Sequence, residues 1–252
     1  MIQVTDLTKR FGHIIAVDGI NLEVRPGEIF GFLGPNGAGK TTTIKMIAGV
    51  LKPTKGRIII DGKDIQKDPL GAKQIIGFIP DRPFLYEKLT GVEFLKFISD
   101  CYGIEPQASH ERISNLLKMF ELEPWADELI EGYSYGMKQR LIMCAALIHK
   151  PKVLIVDEPM MGLDPKGARL VKEIFREMCQ NGASIFMSTH ILQLAEELCD
   201  RISIIQKGKI IATGTPRELE RQANSGDHRL ESIFLKLTGG EEVRELMDSL
   251  RM

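Results

Sequence analysis

Residues 34–41 read Gly34-Pro35-Asn36-Gly37-Ala38-Gly39-Lys40-Thr41, which satisfies GxxxxGK[ST] in full. Each residue type has a task at that spacing. The glycines let the chain curl so that successive backbone N–H groups face one anion. A helix starting near Lys40 adds its positive end. Lys40 can reach the β- and γ-phosphates of a nucleotide, the Thr41 hydroxyl can ligate Mg²⁺, and Thr42 can support the α/β side. The context is the required one, with an apolar run at 29–33 before the loop and a helical pattern after it. A glycine-rich turn that only resembles the motif is the competing reading, and the residues downstream weigh against it.

A second constellation follows at Val153-Leu154-Ile155-Val156-Asp157-Glu158-Pro159, an apolar run ending in two carboxylates. Ligands in open α/β sheets sit beyond the carboxyl ends of the strands. Asp157 is therefore expected to hold Mg²⁺, through water. Glu158 is expected to point elsewhere, because side chains alternate along an extended chain, and it can polarise the water that attacks a γ-phosphate. Taken alone, the pair reads as a solvated acidic turn. The upstream phosphate loop tips the balance toward chemistry.

The elements that must position these groups are legible in outline. The first 33 residues read as short strands, with 21–24 alternating and 29–33 fully apolar. A helix is expected over 41–50, with Ile44, Met46 and Ile47 turned inward. Strands are expected at 57–60 and 75–79, with a turn at Gly62. From Pro83 the pattern becomes helical. Thr90 and Glu93 form a capping box ahead of 92–102. A second helix over 110–120 groups Ile113, Leu116, Leu117 and Phe120, and a third runs from about 136 to 149. Strand–helix alternation then resumes. Strands are expected at 153–156 and 184–188, and a helix is expected after an Asp164 cap and Pro165. A helix over 191–199 and a hairpin turned at Lys207-Gly208 follow. Thr215, Pro216 and Glu218 open another helix. Residues 223–228 read as a polar linker, and 230–252 as partly helical.

Composition narrows the classes. The 252 residues carry 33 basic and 34 acidic side chains, so nothing suggests a general nucleic-acid binder. The longest unbroken apolar run, 141–148, cannot cross a bilayer, and the N-terminal stretch lacks a signal peptide's apolar core. Cys101, Cys144, Cys179 and Cys199 form no CxxC and read as reduced, buried thiols.

Taken in order, the phosphate loop through Thr42, Tyr133-Ser134-Tyr135-Gly136-Met137-Lys138-Gln139-Arg140, the segment 153–159, Gly162-Leu163-Asp164 and Ser188-Thr189-His190 resemble the nucleotide-binding subunit of ABC transporters. The resemblance covers about residues 2–220. It implies an α/β fold: a P-loop NTPase core of the ABC ATPase type, with an N-terminal antiparallel β region and an inserted helical subdomain. The ATPase domain would span 1–222, with the helical subdomain at about 84–145, and 223–252 would be a short C-terminal extension.

The resemblance also assigns roles. Tyr133 to Arg140 would be the family signature, in which Ser134 and the Gly136 backbone complete the γ-phosphate site of a second subunit. Read without the family, the same residues are an ordinary helix start. Asp164 would communicate across the dimer, or cap its helix, or both. His190 would contact the γ-phosphate and help orient Glu158, so that Glu158, His190 and Lys40 form the catalytic set. Two positions depart from the commonest family pattern. Tyr135 stands where glycine is usual. Asp81 stands where a glutamine that reaches Mg²⁺ is usual, and it is expected to keep that role directly or through water, against the reading of a surface turn residue. Phe11 stands where the family stacks an aromatic on adenine, against a place in the core.

With one copy of each motif, the resemblance implies a second ATP-binding subunit, identical or related, closing head-to-tail around two ATP with Mg²⁺. It also implies integral membrane permease subunits, a peripheral place at the cytoplasmic face of the membrane, and docking through the helical lobe. The segment 230–239 resembles the ends of bacterial export-type members, including drug and antibiotic-resistance exporters. The alternative is an ABC-type ATPase without a membrane partner, acting on a complex such as the ribosome.

Overall fold

The computed structural model describes residues 1–222 and 230–238. The expected linker at 223–228 and the tail beyond 238 lie outside the described residues.

Two sheets share the molecule. Strands β1 (Ile2–Phe11), β2 (Ile14–Val24), β4 (Lys55–Ile60) and β5 (Lys63–Asp64) form an antiparallel sheet in the order β2-β1-β4-β5. Strands β3 (Ile29–Leu33), β6 (Ile76–Ile79), β7 (Val153–Asp157), β8 (Ser184–Thr189), β9 (Arg201–Gln206) and β10 (Lys209–Gly214) form the second sheet, in the order β10-β9-β3-β8-β7-β6. Only the edge pair β9–β10 is antiparallel there.

The unbroken apolar runs of β3, β7 and β8 follow from burial on both faces. Their side chains divide by period two between two cores. Phe30, Phe32, Val153, Ile155 and Phe186 face the antiparallel sheet, together with Ile44, Met46 and Ile47 of α1 (Lys40–Ile47). Leu33, Leu154, Val156, Ile185 and Met187 face the helices on the other side. Phe186 lies at the centre of the first core, with ring centroids 5.9 Å from Phe30 and 5.3 Å from Phe32.

Between β6 and β7 the regular elements are helical: α3 (Gly91–Cys101), α4 (Pro106–Met119), two short 3₁₀ turns and α5 (Tyr135–Leu147). The Thr90–Glu93 capping box at the head of α3 is present as read. Two further helices, α6 (Pro165–Gln180) and α7 (Leu192–Leu198), connect β7 to β8 and β8 to β9. The Asp164 carboxylate caps α6 by accepting from the Gly167 N–H at 3.0 Å, with Pro165 in the first turn. The remaining helices are α2 (Pro69–Lys73), α8 (Pro216–Gln222) and α9 (Leu230–Thr238).

Several expectations change. The N-terminal strands are long rather than short: 10 and 11 residues, interrupted by repeated register shifts that break the apolar alternation. Helix α1 stops at Ile47, not Val50, because Gly49 turns left-handed at φ +67°. Helix α2, short and capped by Asp68, was not anticipated. Of the four cysteines, all free, Cys144 and Cys199 are buried and Cys179 is half-buried, but Cys101 is exposed at the end of α3. Burial pushes the Cys179 thiol up to about 12.

Candidate functional site

The register of the second sheet assembles the site. Leu33 is paired with Thr189, Asp157 with Ser188, and Val156 with Ile79. The carboxyl ends of β3, β8, β7 and β6 are therefore neighbours. The loops leaving them carry the phosphate loop, His190, Glu158 and Asp81 in turn, which is where open α/β sheets place ligands. A cavity of about 380 Å³ opens there. It is lined by Ala16, Asn36, Gly37, Gly39, Lys40, Thr41, Thr42, Asp81, Asp157, Glu158, Met161 and His190.

The phosphate loop is shaped by what lies behind it. A side chain at Gly34 would run into the Ile205 carbonyl of β9, and one at Gly39 would meet the Ala16 carbonyl of β2 at 2.5 Å. Gly39 is also left-handed, at φ +109°, a conformation open chiefly to glycine. The turn between β9 and β10 supports the loop from below, with the Gly208 N–H donating to Ala38 O at 3.0 Å. Gly34, Pro35 and Ala38 do not line the cavity and form the rest of the curl. Lys40 is buried, and its ammonium donates to the carbonyls of Gly34 at 2.7 Å and Pro35 at 3.2 Å. Burial lowers its pKa from the ordinary lysine value, while the Glu158 and Asp157 charges oppose that shift. A desolvated cation facing an open cavity favours a polyanionic ligand.

Both carboxylates after β7 line this one cavity, which corrects the expectation that they diverge. The strand ends at Asp157, and Glu158 turns left-handed at φ +53°, so simple alternation no longer applies. Such a conformation costs a non-glycine residue about 1 kcal/mol or more and is held by its surroundings. Here the Glu158 N–H donates to Ser188 O at 3.2 Å. Asp157 is only 2% exposed, and its carboxylate accepts from the Ser188 hydroxyl. Each Glu158 oxygen has its own partner. Oε1 lies 2.8 Å from His190 Nδ1, and Oε2 accepts from Thr189 Oγ1 at 3.2 Å. The Ile191 N–H donates to that same Thr189 hydroxyl at 3.0 Å, which fixes its orientation.

Other expected residues lie apart from the cavity. Phe11 is at the tip of the β1–β2 hairpin with its ring 49% exposed and Lys9 Nζ 5.0 Å from its centroid, so it is not a core residue. Ser134 caps α5, its hydroxyl accepting from Met137 N at 3.3 Å, and neither Ser134 nor Gly136 lines the cavity. Tyr135 turns back onto its own chain: its hydroxyl donates to Asp81 O at 3.2 Å, and its ring covers Gly162. Asp164 accepts from Arg140 at 2.8 Å, and its pKa is lowered by the Gly167 N–H and then by Arg140.

Sequence reasoning did not single out Ala16, Met161, Ser188 or Thr189. Ser188 and Thr189 lie within a quoted motif, and the signal that could have found them is the pairing of β8 with β7, which only the fold supplies. Ala16 reaches the loop from a strand far away in sequence and carried no signal.

The comparisons agree with this fold. Residues 17–161 match the family model described as ABC transporter. The chain is 38% identical over 240 residues to the probable multidrug ABC transporter ATP-binding protein YbhF of Escherichia coli (strain K12), covering 94% of this chain and 41% of that protein. It thus spans less than half the length of that relative. It is 37% identical over 238 residues to the ABC-type transporter ATP-binding protein EcsA of Bacillus subtilis (strain 168), covering 94% of this chain and 96% of the relative. A solved ATP-binding subunit of an ABC transporter superposes with a TM-score of 0.89 at 34% identity, over 94% of this chain and 99% of that one. The ATP-binding cassette MJ0796, solved as a dimer in a post-hydrolysis state with ADP and Pi, superposes with a TM-score of 0.79 at 25% identity, over 85% and 98% of the two chains. With this fold, the chain belongs to the ABC transporter family.

Proposed function

We propose that this chain hydrolyses ATP as one member of a head-to-tail pair and that the pair drives export through separate integral membrane permease subunits. The observation that carries the reading is the division of the site. Lys40, Asp157, Glu158 and His190 meet in one cavity, while Ser134 and Gly136 stand outside it at the start of α5. A hydroxyl and free N–H groups at a helix start favour an anion, so this second half suits the ATP of another subunit.

Within the cavity, Lys40 and the backbone N–H groups of 34–42 hold the phosphates, Phe11 offers its exposed ring to adenine, and Glu158, oriented by His190, accepts the proton of the attacking water. The hydroxyl of Thr41 and the carboxylates of Asp157 and Asp81 are hard oxygen donors and fit Mg²⁺. Bound there, Mg²⁺ would neutralise charge on the phosphate oxygens.

The proposed helical subdomain at about 84–145, with the loop leading into it, offers a place to dock. Phe84 is 81% exposed, and Tyr86 and Phe97 pack edge to face 5.6 Å apart at the surface. Exposed aromatic clusters of this kind mark interaction sites. No described helix is long and apolar enough to cross a membrane. The export direction rests on the resemblance of segment 230–239 to the ends of export-type members. On this reading the protein sits peripherally at the cytoplasmic face of the membrane.

The test is co-purification from solubilised membranes with Glu158→Gln, which should trap ATP and the closed pair. Recovery of a polytopic membrane protein, lost on Phe84→Glu, is the expected result. Recovery of ribosomal or other soluble complexes instead would overturn the transport assignment.

A further inference from the structure

Tyr135 stands in the signature segment where the commonest family form has glycine, and its contacts run inward. Its hydroxyl reaches the backbone carbonyl of Asp81, in the loop after β6. Its ring lies over Gly162, in the loop after β7, so closely that any side chain at position 162 would run into it. Gly162 is left-handed at φ +75°, which suits glycine for a second reason. The start of α5 touches the same loop twice more. A side chain at Gly136 would meet Gly162 O at 2.8 Å, and Arg140, one turn on, binds Asp164 at 2.8 Å. Both loops reach the nucleotide cavity of their own subunit, through Asp81 on one and Met161, the neighbour of Gly162, on the other.

We propose that Tyr135 is a positioning residue acting in cis: it fastens the signature helix to the Asp81 and Gly162 loops of its own subunit, so that the face offered to the partner's ATP is registered to the cavity behind it. The proposal rests on the shared-site reading above and adds to it a link between one subunit's signature segment and that same subunit's cavity. Glycine at position 135 would supply neither the hydroxyl nor the ring.

Two differently tagged copies of the full chain, purified as mixed pairs, separate cis from trans action. Pairing the parent chain with Lys40→Ala leaves one working site, with an unaltered phosphate-loop side and an unaltered signature, and serves as the reference, while pairing Ser134→Arg with Lys40→Ala tests the shared site itself. Pairing Tyr135→Gly with Lys40→Ala also leaves one site. Its signature comes from the Lys40→Ala chain and is intact, so only the cis contacts of Tyr135 are missing. The expected result is a kcat about five- to tenfold below the reference, with ATP affinity unchanged, and a loss of about fivefold for Tyr135→Phe, which removes the hydroxyl alone. Equal kcat in the Tyr135→Gly pair and the reference pair would overturn the proposal, as would a loss of ATP affinity in the Tyr135→Phe pair, which would indicate general damage. A silent pair of Ser134→Arg with Lys40→Ala would instead overturn the shared-site reading for identical subunits, and this inference with it.

Discussion

His190 Nδ1 lies 2.8 Å from Glu158 Oε1, and the two side chains reach each other from the ends of adjacent parallel strands. A carboxylate only accepts, so a hydrogen bond at that distance would take its proton from Nδ1. With Oε2 taken by Thr189, the Glu158 carboxylate is held from two sides. Glu158→Gln keeps the shape but removes the proton acceptor. Steady-state ATP hydrolysis should fall about a hundredfold or more, while ATP binding and pairing persist. Near-normal turnover would remove Glu158 from the catalytic role.

Thr189 offers a finer test. Thr189→Val is nearly isosteric and deletes one hydrogen bond to Glu158. The expected effect is a kcat lower by about tenfold or more with KM for ATP unchanged, the kinetic weight of one neutral donor to a charged acceptor. Thr189→Ser, which retains the hydroxyl, should restore most of it. A Val variant that matches the parent would show that His190 alone orients the carboxylate.

Lys40 is buried and faces the cavity from beneath the loop carbonyls. Lys40→Ala should weaken ATP binding about ten- to a hundredfold, as expected for loss of a charge-assisted contact. Equilibrium titration with ATP measures this directly, and unchanged affinity would contradict the proposed pose.

His149 supplies a pH dependence remote from the nucleotide. Its ring stacks on Tyr102 at 3.7 Å, Nε2 sits 3.0 Å from Ile76 O, and burial lowers its pKa to about 4. The unfolded chain, with an ordinary value near 6.5, binds more protons between these two pH values. Stability is therefore complete above about pH 6.5, falls as the pH drops toward 4, and levels off below. Because the ring is only half-buried, the loss is about 2 kcal/mol rather than the full equivalent of the shift. Urea unfolding at pH 7.5 and 4.5 should show that much less acid sensitivity in His149→Gln than in the parent. Parallel pH profiles would exclude the ring as the cause.

The core makes a prediction of its own. Phe186 packs against Phe30 and Phe32 between the two sheets, fully buried. Phe186→Ala should cost about 3–5 kcal/mol of unfolding free energy, transfer and cavity together. Chemical denaturation checks it, and a loss below about 1 kcal/mol would mean that the neighbouring rings close over the gap.

What was legible in the sequence is what is local. The loop 34–41 carries its own geometry in its glycines, β3 and β7 announce double-sided burial by unbroken apolarity, and Thr90 and Asp164 mark the starts of their helices. What was missed depends on tertiary pairing. Glu158 leaves the strand alternation only because its backbone is held left-handed against Ser188 O. Ser188 and Thr189 matter because β8 lies beside β7. The bulges of β1 and β2 hid two long strands behind a broken pattern. Tyr135 looked like a defect in a motif, and the structure gives it two partners, Asp81 and Gly162.

The phosphate loop is wedged between Ala16 of β2, Ile205 of β9 and Gly208 of the hairpin, and the Asp18 N–H closes the ring of contacts by donating to Gly208 O at 2.9 Å. The curl thus acquires its shape when the chain folds, not when nucleotide arrives. Ordering such a loop would otherwise cost about 1–2 kcal/mol per residue at the moment of binding. Loosening the turn at Lys207-Gly208 is therefore expected to weaken nucleotide binding by removing the support behind the curl.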